Sequence, residues 1–204
     1  MPSEEQILVV PTSVVDAIGT INGFSRDVDQ FLKPILASEF LSFRPRGAME
    51  ADPSFKQLIP YVILQYKDSA GQPFLFTYTR GKGQGEARLH AKRSFGIGGH
   101  ISEEDAAGGD CPYETGMRRE LDEEVTIRSE FRESRMGLIY DSSTEVGRVH
   151  LGVVHRFELV RPDVISNEDD LSDASFISID ELRKDRDRLE MWSQICLDAL
   201  YENQ

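Results

Sequence analysis

The sequence is poor in cysteine and in basic residues, and it lacks long apolar runs. Its two cysteines, Cys111 and Cys196, cannot build a disulfide framework and favour a reducing compartment. No apolar run reaches the roughly 20 residues that span a membrane, and the acidic start, MPSEEQ, does not resemble a signal peptide. We therefore expect a cytoplasmic protein without membrane contacts.

Acidic side chains outnumber basic ones by a wide margin. The 204 residues include 36 acidic and 23 basic side chains, which gives a formal net charge of −13. Nucleic-acid polymers and anionic membranes are bound by basic surfaces, so this acidity argues against both as partners. A small anionic substrate would need help from a metal ion or from a local group of cations.

The length and composition suit one globular domain with an extension. Hydrophobic residues make up 39% of the chain and charged residues 29%, which is ordinary for a soluble protein. We predict an N-terminal extension (1–54) with a strand and a helix for packing or dimerisation, a core (55–182) and a C-terminal helix (183–204) packed on that core. In the extension, apolar spacing predicts a helix over 27–36, whose buried face comprises Val28, Phe31, Leu32 and Ile35.

A glycine-rich loop, an acidic insert and a helix follow one another in residues 95–127. With Asp110 as its cap and Pro112 in its first turn, the helix is predicted to run to about Val125. Three residues spaced four apart, Met117, Leu121 and Val125, form its apolar side. The helix is therefore expected to pack on the core along this side.

Three glutamates of this helix, Glu120, Glu123 and Glu124, share another face. Like charges at that spacing repel one another, which favours a hard cation such as Mg²⁺ between them. The alternative is a solvated face stabilised by two ion pairs, Arg118 with Asp122 and Arg119 with Glu123. The helix alone favours this second interpretation.

The order Arg119-Glu120-Leu121-Asp122-Glu123-Glu124, preceded by Gly98-Gly99, resembles the box of the Nudix (MutT-like) hydrolases. That box reads Gly, five residues, Glu, seven residues, then Arg-Glu-aliphatic-any-Glu-Glu-any-Gly-aliphatic. The distance from Gly99 to the helix is about six residues longer than in the box. In this alignment Cys111 stands at the position of the first glutamate, and Thr126 stands at the glycine after the helix. A looped-out segment, 103–109, would absorb the extra residues.

The resemblance extends beyond the box. Leu58–Tyr66 and Phe74–Thr79 resemble the two strands that precede it in the family, and Ser175–Leu182 resembles the closing strand and the turn into the last helix. The stretches RLHAKRSFGIGGHI and GRVHLGVVHRFEL are similar to a poorly characterised Nudix subgroup of predicted phosphoesterases. The resemblance implies an α/β fold, the Nudix α/β/α sandwich with a central mixed β-sheet. The last helix is predicted from Glu181 to about Tyr201, capped by Asp180.

The family also implies a reaction, the metal-dependent hydrolysis of a nucleoside diphosphate linked to another group, or of a related organic diphosphate, by attack of water on phosphorus. By position in the box, the metal ligands would be Glu120, Glu123, Glu124 and the backbone carbonyl of Gly98. The metal would be Mg²⁺, with Mn²⁺ as an alternative, and Arg119 would orient the carboxylates. The catalytic base would be Glu120 or Glu168, and Asp169 and Asp170 are close rivals of Glu168.

Basic residues are concentrated in the segment 80–94, just before the glycine loop. Lys92, Arg93 and Arg80 are the candidates for neutralising the phosphates of a small-molecule diphosphate substrate. A well-solvated, glycine-rich loop explains the same composition equally well. Three tyrosines are either aromatic platforms or core residues: Tyr66, Tyr78 and Tyr140.

The sequence is compatible with two other functions. The departures from the box allow a Nudix-like domain that senses a nucleotide without hydrolysing it. Cys111 at a helix N-terminus, where a thiolate is favoured, allows a Nudix-fold isomerase that acts on isoprenoid diphosphates. His100, His150 and His155 are interpreted as structural. A homodimer is a family-level expectation.

Overall fold

The computed structural model describes residues 4–80, 92–109, 111–167 and 171–202. Contacts between residues divide the chain into two compact units. The first unit contains residues 1–61, 98–120 and 135–154, and the second contains residues 62–97, 121–134 and 155–204. The fold is mixed α/β with a central mixed sheet, as the sequence predicts.

The chain alternates between strands and helices. The strands are β1 (Gln6–Pro11), β2 (Gly23–Ser25), β3 (Ser42–Pro45), β4 (Phe55–Lys67), β5 (Pro73–Arg80), β6 (Arg93–Ser94), β7 (Gly96–Ile97), β8 (Val125–Ile127), β9 (Phe131–Tyr140), β10 (His150–Leu159), β11 (Val164–Ser166) and β12 (Leu171–Ser178). The helices are α1 (Thr12–Ile18), α2 (Val28–Leu36), α3 (Arg46–Met49), α4 (Pro112–Glu124), α5 (Glu145–Val149), α6 (Ile179–Lys184) and α7 (Met191–Tyr201). Two turns of 3₁₀ helix span Glu103–Ala106 and Arg186–Arg188. Among the described residues, every helix is too short or too polar to pass through a bilayer.

In the first unit, the predicted N-terminal extension takes part in the sheet. Strand β1 pairs antiparallel with β3 and with the start of β4, where Val9 lies opposite Gln57. Strand β2 pairs antiparallel with β9, with Phe24 opposite Ile139. Neighbouring strands follow the order β4, β10, β9 and β2. Helix α2 buries the four apolar residues predicted for it against this unit's core.

In the second unit, β5 is the central strand. It pairs antiparallel with β12 and with the end of β4, where Phe74 lies opposite Tyr66, so the two strands predicted before the box form a hairpin. Its far end pairs with β6, and β7 pairs with β4. Strands β8 and β11 form a separate antiparallel ribbon.

Strands β4 and β10 run in the same direction and make the sheet mixed. In the first unit, the Nζ of Lys56, near the start of β4, donates to the carbonyl of Arg148, just before β10. In the second unit, Gln65, near the end of β4, lies 3.4 Å from the carboxylate of Glu158, near the end of β10. The order of contacts is the same along both strands, whereas the pairings of β1, β2, β5, β7 and β8 described above are antiparallel.

The C-terminal helix differs from its prediction. Ser178, rather than Asp180, caps its first part, because the Ser178 side chain accepts the backbone N–H of Glu181. Helix α6 then ends at Lys184, and a 3₁₀ turn follows. Helix α7 begins after Glu190, whose carboxylate accepts the N–H groups of Trp192 and Ser193. Two side-chain caps therefore replace one continuous helix with two shorter ones.

Tyr78, one of the three candidate platform tyrosines, is wholly buried, and its hydroxyl donates to the carbonyl of Gly96 at 2.7 Å. We expect Tyr78→Phe to lower the free energy of unfolding by about 1 kcal/mol, the net value of one hydrogen bond. The Gly96 carbonyl keeps a second donor in Ser94. Tyr78→Ala should lower the free energy of unfolding by about 3–5 kcal/mol, because it also removes the aromatic ring and leaves a cavity in the core. Urea unfolding measures both, and equal losses would contradict this packing.

Candidate active site

The loop after β7 carries two glycines in close contact with neighbouring groups. At Gly98, φ is 150°, and a Cβ atom there would lie 1.9 Å from the carbonyl oxygen of Pro60. At Gly99, a Cβ atom would lie 2.2 Å from Oε2 of Glu120. The glycines thus bring the loop backbone against β4 and against a carboxylate of α4.

Arg119 fastens α4 to this loop. Its Nε and Nη2 donate to the two oxygens of the Asp105 carboxylate at 2.9 and 3.0 Å. Nη1 donates to Oε1 of Glu120 at 2.9 Å, and Nη2 also donates to the backbone carbonyl of His100 at 3.0 Å. The hydrogen bonds to Asp105 are the main cause that raises the pKa of Arg119 above its ordinary value. The guanidinium therefore stays charged and holds Glu120 in one orientation.

Asp105 is the residue that sequence reasoning missed. Its side chain is buried, and Oδ2 also accepts the backbone N–H of Ser102 at 2.8 Å. Five residues separate Gly99 from Asp105, which is the spacing of the first acid in the Nudix box, and this spacing could have identified it. By this count Asp105, and not the exposed Cys111, stands at the position of the first acid of the box. The extra residues then follow Asp105, so they overlap the predicted segment 103–109 only in part.

Helix α4 approaches Asp105 closely because position 116 is glycine. A Cβ atom there would lie 2.5 Å from Oδ2 of Asp105 and 2.7 Å from the end of the Ile101 side chain. The carbonyl of Cys111 accepts the N–H groups of Glu114 and Thr115, so the helix begins at Pro112 with Cys111 in the cap position. The predicted cap, Asp110, lies outside the described residues. The three residues predicted for the apolar side are all buried.

The three predicted metal ligands of α4 differ in exposure. Glu120 and Glu124 are half-buried, and Glu123 is exposed. Among the described residues, no three histidine, cysteine, aspartate or glutamate side chains are assembled as a ready metal site. Mg²⁺ commonly takes one or two carboxylates and completes its shell with water and substrate phosphates. The oxygen donors of α4 and the room left at Gly99 for the Glu120 carboxylate fit that mode of binding.

The end of α4 is held by Asn167. Its backbone N–H donates to the Glu124 carbonyl and its Nδ2 donates to the Asp122 carbonyl, both at 2.9 Å. The Thr126 hydroxyl donates to Oδ1 of Asn167 at 2.8 Å. The box glycine, which would let the chain turn in a left-handed conformation, is thus replaced by a threonine in β8 and a cap from a distant residue.

Two histidines beside the glycine loop are neutral. His100 Nε2 bonds to Oε1 of Gln57 at 2.7 Å, and His150 Nδ1 bonds to the carbonyl of Val146 at 2.8 Å. Burial is the main cause that lowers the pKa of His100 to about 3, and burial also lowers the pKa of His150. Neither imidazole therefore adds positive charge for a phosphate at neutral pH. Another histidine, His155, is wholly buried and bonds to Glu133.

The basic candidates lie in the second unit. The Nζ of Lys92 donates to the carbonyl of Asp187 at 2.7 Å, and Arg93 lies on β6 opposite Thr79. The side chain of Arg80 lies outside the described residues, and so do Glu168, Asp169 and Asp170. Their predicted roles stay predictions.

We expect Asp105→Asn to damage both stability and activity, because an amide cannot accept both the Arg119 bonds and the Ser102 N–H. The free energy of unfolding should fall by about 3 kcal/mol, near the lower end for breaking a buried ion pair, since Arg119 is partly exposed. Turnover should fall about ten-fold or more, as for other residues that orient ligands. Urea unfolding and an activity assay measure these changes.

The control is Glu114→Gln, which breaks the exposed ion pair between Glu114 on α4 and Arg135 on β9. It should cost less than about 1 kcal/mol and leave turnover unchanged. If Asp105→Asn behaves like Glu114→Gln, the orienting role of Arg119 is wrong.

We expect Asn167→Ala to loosen the end of α4 and to raise the Mg²⁺ concentration needed for half-maximal activity by about ten-fold. Thr126→Val removes one hydrogen bond of the same group and should have a smaller effect in the same direction. A loss of stability with an unchanged Mg²⁺ requirement would show that Asn167 does not position the carboxylates.

Comparison with known proteins agrees with this geometry, although no protein-family profile matches the chain. The protein YmaB of Bacillus subtilis (strain 168) is 35% identical over an alignment of 209 positions, which covers 97% of this chain and 98% of YmaB. The crystal structure of Tm1382, a candidate Nudix hydrolase, is 33% identical and covers 97% of this chain and 99% of its own, with a TM-score of 0.76. A Nudix hydrolase from Alicyclobacillus acidocaldarius shares the fold, with a TM-score of 0.54 over 72% of this chain and 91% of its own at 13% identity. The chain therefore belongs to the Nudix hydrolase family.

Proposed function

We propose that this protein hydrolyses a nucleoside diphosphate linked to another group, or a related organic diphosphate, by attack of water on phosphorus. Its family consists of hydrolases that act on phosphorus-containing anhydrides, which supports the class of reaction. The observation that carries the proposal is the Glu120 carboxylate, which Arg119 holds against the backbone of Gly99. A fixed carboxylate beside a glycine loop suits a site where a diphosphate and its counter-ion must approach the backbone.

A divalent metal ion is part of this proposal. The residues that would hold it are Glu120, Glu123, Glu124 and the carbonyl of Gly98, and the ion would be Mg²⁺ or, alternatively, Mn²⁺. When bound, such an ion neutralises charge on the phosphates and makes water a better nucleophile at neutral pH. The chain supplies oxygen donors at these positions, which are the ligands that Mg²⁺ and Mn²⁺ prefer.

The remaining steps belong to the side chains. Arg119 does not bind substrate, because its N–H groups donate hydrogen bonds to Asp105, Glu120 and the His100 carbonyl. Glu120 or Glu168 accepts the proton of the attacking water. Lys92, Arg93 and Arg80 reduce the negative charge of the phosphates before and during the reaction.

The substrate is a small molecule rather than a polymer. The formal net charge of −13 opposes contact with nucleic acids and anionic membranes. The two free cysteines support the cytoplasmic location that we propose. A homodimer is the oligomeric state we propose on family grounds.

The test is a substrate panel of dinucleotides, nucleotide sugars, nucleoside triphosphates and isoprenoid diphosphates, assayed with Mg²⁺ and with chelator. We expect chelator-sensitive release of phosphate or nucleotide from one class. Glu124→Gln should lower kcat/KM by more than roughly 100-fold, beyond the effect of residues that only orient ligands. Glu114→Gln, the same change on the exposed first turn of α4, should leave it unchanged.

Other outcomes identify the alternatives. Turnover that survives chelator and Glu124→Gln would refute the proposal. Binding of one compound without turnover would indicate a sensing domain. Activity lost in Cys111→Ser, with metal binding intact, would indicate the isomerase.

A further inference from the structure

The second unit contains a surface cavity of about 200 Å³ with three basic side chains in its wall, Arg93, Lys184 and Arg188. The other residues that line it are Ile177, Leu182, Glu181 and Asp185. Leu182 is buried and Ile177 is half-buried, so the cavity has an apolar floor beneath a charged rim. A cavity of this type can hold a small ligand that has one charged end.

Main-chain hydrogen bonds fix Arg93 in the wall. Its carbonyl accepts the N–H of Glu190 at 2.9 Å, and its backbone bridges to Leu189. Two residues further along, the N–H of Phe95 donates to the hydroxyl of Ser193 at 3.1 Å. The strand that carries Arg93 is therefore held by hydrogen bonds to residues 189–193, which lead into α7.

The positive charge of the cavity is only partly neutralised. Three cations and two carboxylates, those of Glu181 and Asp185, line the cavity, so its formal charge is +1. The Glu181 carboxylate accepts a hydrogen bond from the Ser178 hydroxyl at 2.9 Å and keeps its negative charge. Asp185 comes no closer than 3.8 Å to Arg188, and both side chains are largely exposed. Among the described residues, the side chains of Arg93 and Lys184 have no hydrogen-bond or ion-pair partner. In a chain with a net charge of −13, such a group of cations is unusual.

The helix dipole explains only one of these cations. Lys184 lies in the last turn of α6, where a positive side chain is favoured by the partial negative charge of the helix end. Arg93 belongs to β6, about 90 residues earlier in the chain, so the dipole of α6 does not account for its presence. The Nζ of Lys92 also donates to the carbonyl of Asp187 beside the cavity, which adds to the positive potential there.

We propose that this cavity binds a small anion of the phosphate class, held by Arg93, Lys184 and Arg188. The planar guanidinium of Arg93 can donate two parallel hydrogen bonds to phosphate oxygens, and the two exposed cations add charge at the rim. The volume is below the roughly 300–1,000 Å³ of sites for larger ligands, so it suits inorganic phosphate or a small phosphate ester. The proposal extends the phosphate role of Arg93, but it rests on the cavity and does not depend on turnover.

Binding is tested by titrating the whole protein with inorganic phosphate in chelator, with two-dimensional NMR of backbone amides as the readout. We expect saturable shifts centred on residue 93 and on residues 182–188. Lys184→Gln should weaken binding about three-fold, as expected for a solvent-exposed charge. Asp185→Asn removes a negative charge from the same rim and should tighten binding by a similar factor.

The matched control is Lys33→Gln, which removes an exposed lysine from α2 in the first unit. Equal effects of Lys184→Gln and Lys33→Gln would show that only net charge matters and would overturn the proposal. Shifts that do not saturate, or that lie away from the cavity, would overturn it as well. All of these outcomes are independent of whether the protein hydrolyses a diphosphate.

A second titration distinguishes the source of the anion. Methyl phosphate and adenosine monophosphate are compared with inorganic phosphate in the same chelator buffer. Tighter binding of an ester than of inorganic phosphate identifies the phosphate of a substrate or product as the occupant. Equal or weaker binding of the esters identifies free phosphate. Either result supports the cavity as an anion site, whereas no binding of any of the three refutes it.

Discussion

The candidate active site depends on the ion pair between Asp105 and Arg119. The carboxylate side chain is 3% exposed and meets two guanidinium nitrogens, so the pair has one geometry. Buried pairs add little net stability, because desolvation offsets much of the attraction, but breaking one leaves an uncompensated charge. Their value is therefore mainly geometric. Here the guanidinium that Asp105 fixes also holds Glu120 and the His100 carbonyl in place through hydrogen bonds.

Glycines make that geometry accessible. Positions 98, 99 and 116 each bring backbone or a carboxylate to a place that a Cβ atom would occupy, at 1.9, 2.2 and 2.5 Å respectively. Larger residues would push the loop away from β4, displace Glu120 and separate α4 from Asp105. The close approach of loop and helix thus depends on these three glycines as well as on the charged residues of the box.

Local patterns in the sequence predicted local structure well. The apolar spacing of α2 and of α4 identified their buried faces, and the strand pattern before the box identified the hairpin of β4 and β5. Local reasoning failed where a contact is distant in sequence. Asn167 caps α4 from more than 40 residues away, and no helix signal near Thr126 points to it. The break between α6 and α7 depends on the Glu190 side chain, which resembles an ordinary helical glutamate in the sequence.

The role of Asp105 was lost for a different reason. Counting back over seven residues from Arg119 leads to Cys111, because the extra residues then fall before the first acid. Counting forward from Gly99 instead leads to Asp105, and the structure supports that choice because Asp105 pairs with Arg119. The insertion therefore falls in an exposed stretch after the acid, where it does not disturb the ion pair.

We propose that Asp105 and Arg119 act as one unit that orients a metal-binding carboxylate. The most direct measurement is the Mn²⁺ affinity, by electron paramagnetic resonance, of the native chain, Asp105→Asn, Arg119→Lys and the double variant. We predict that each single change weakens Mn²⁺ binding and that the double variant binds no more weakly than the weaker single variant. Native Mn²⁺ affinity in folded single variants would contradict this coupling. Fully additive losses of Mn²⁺ binding free energy in the double variant would contradict it as well.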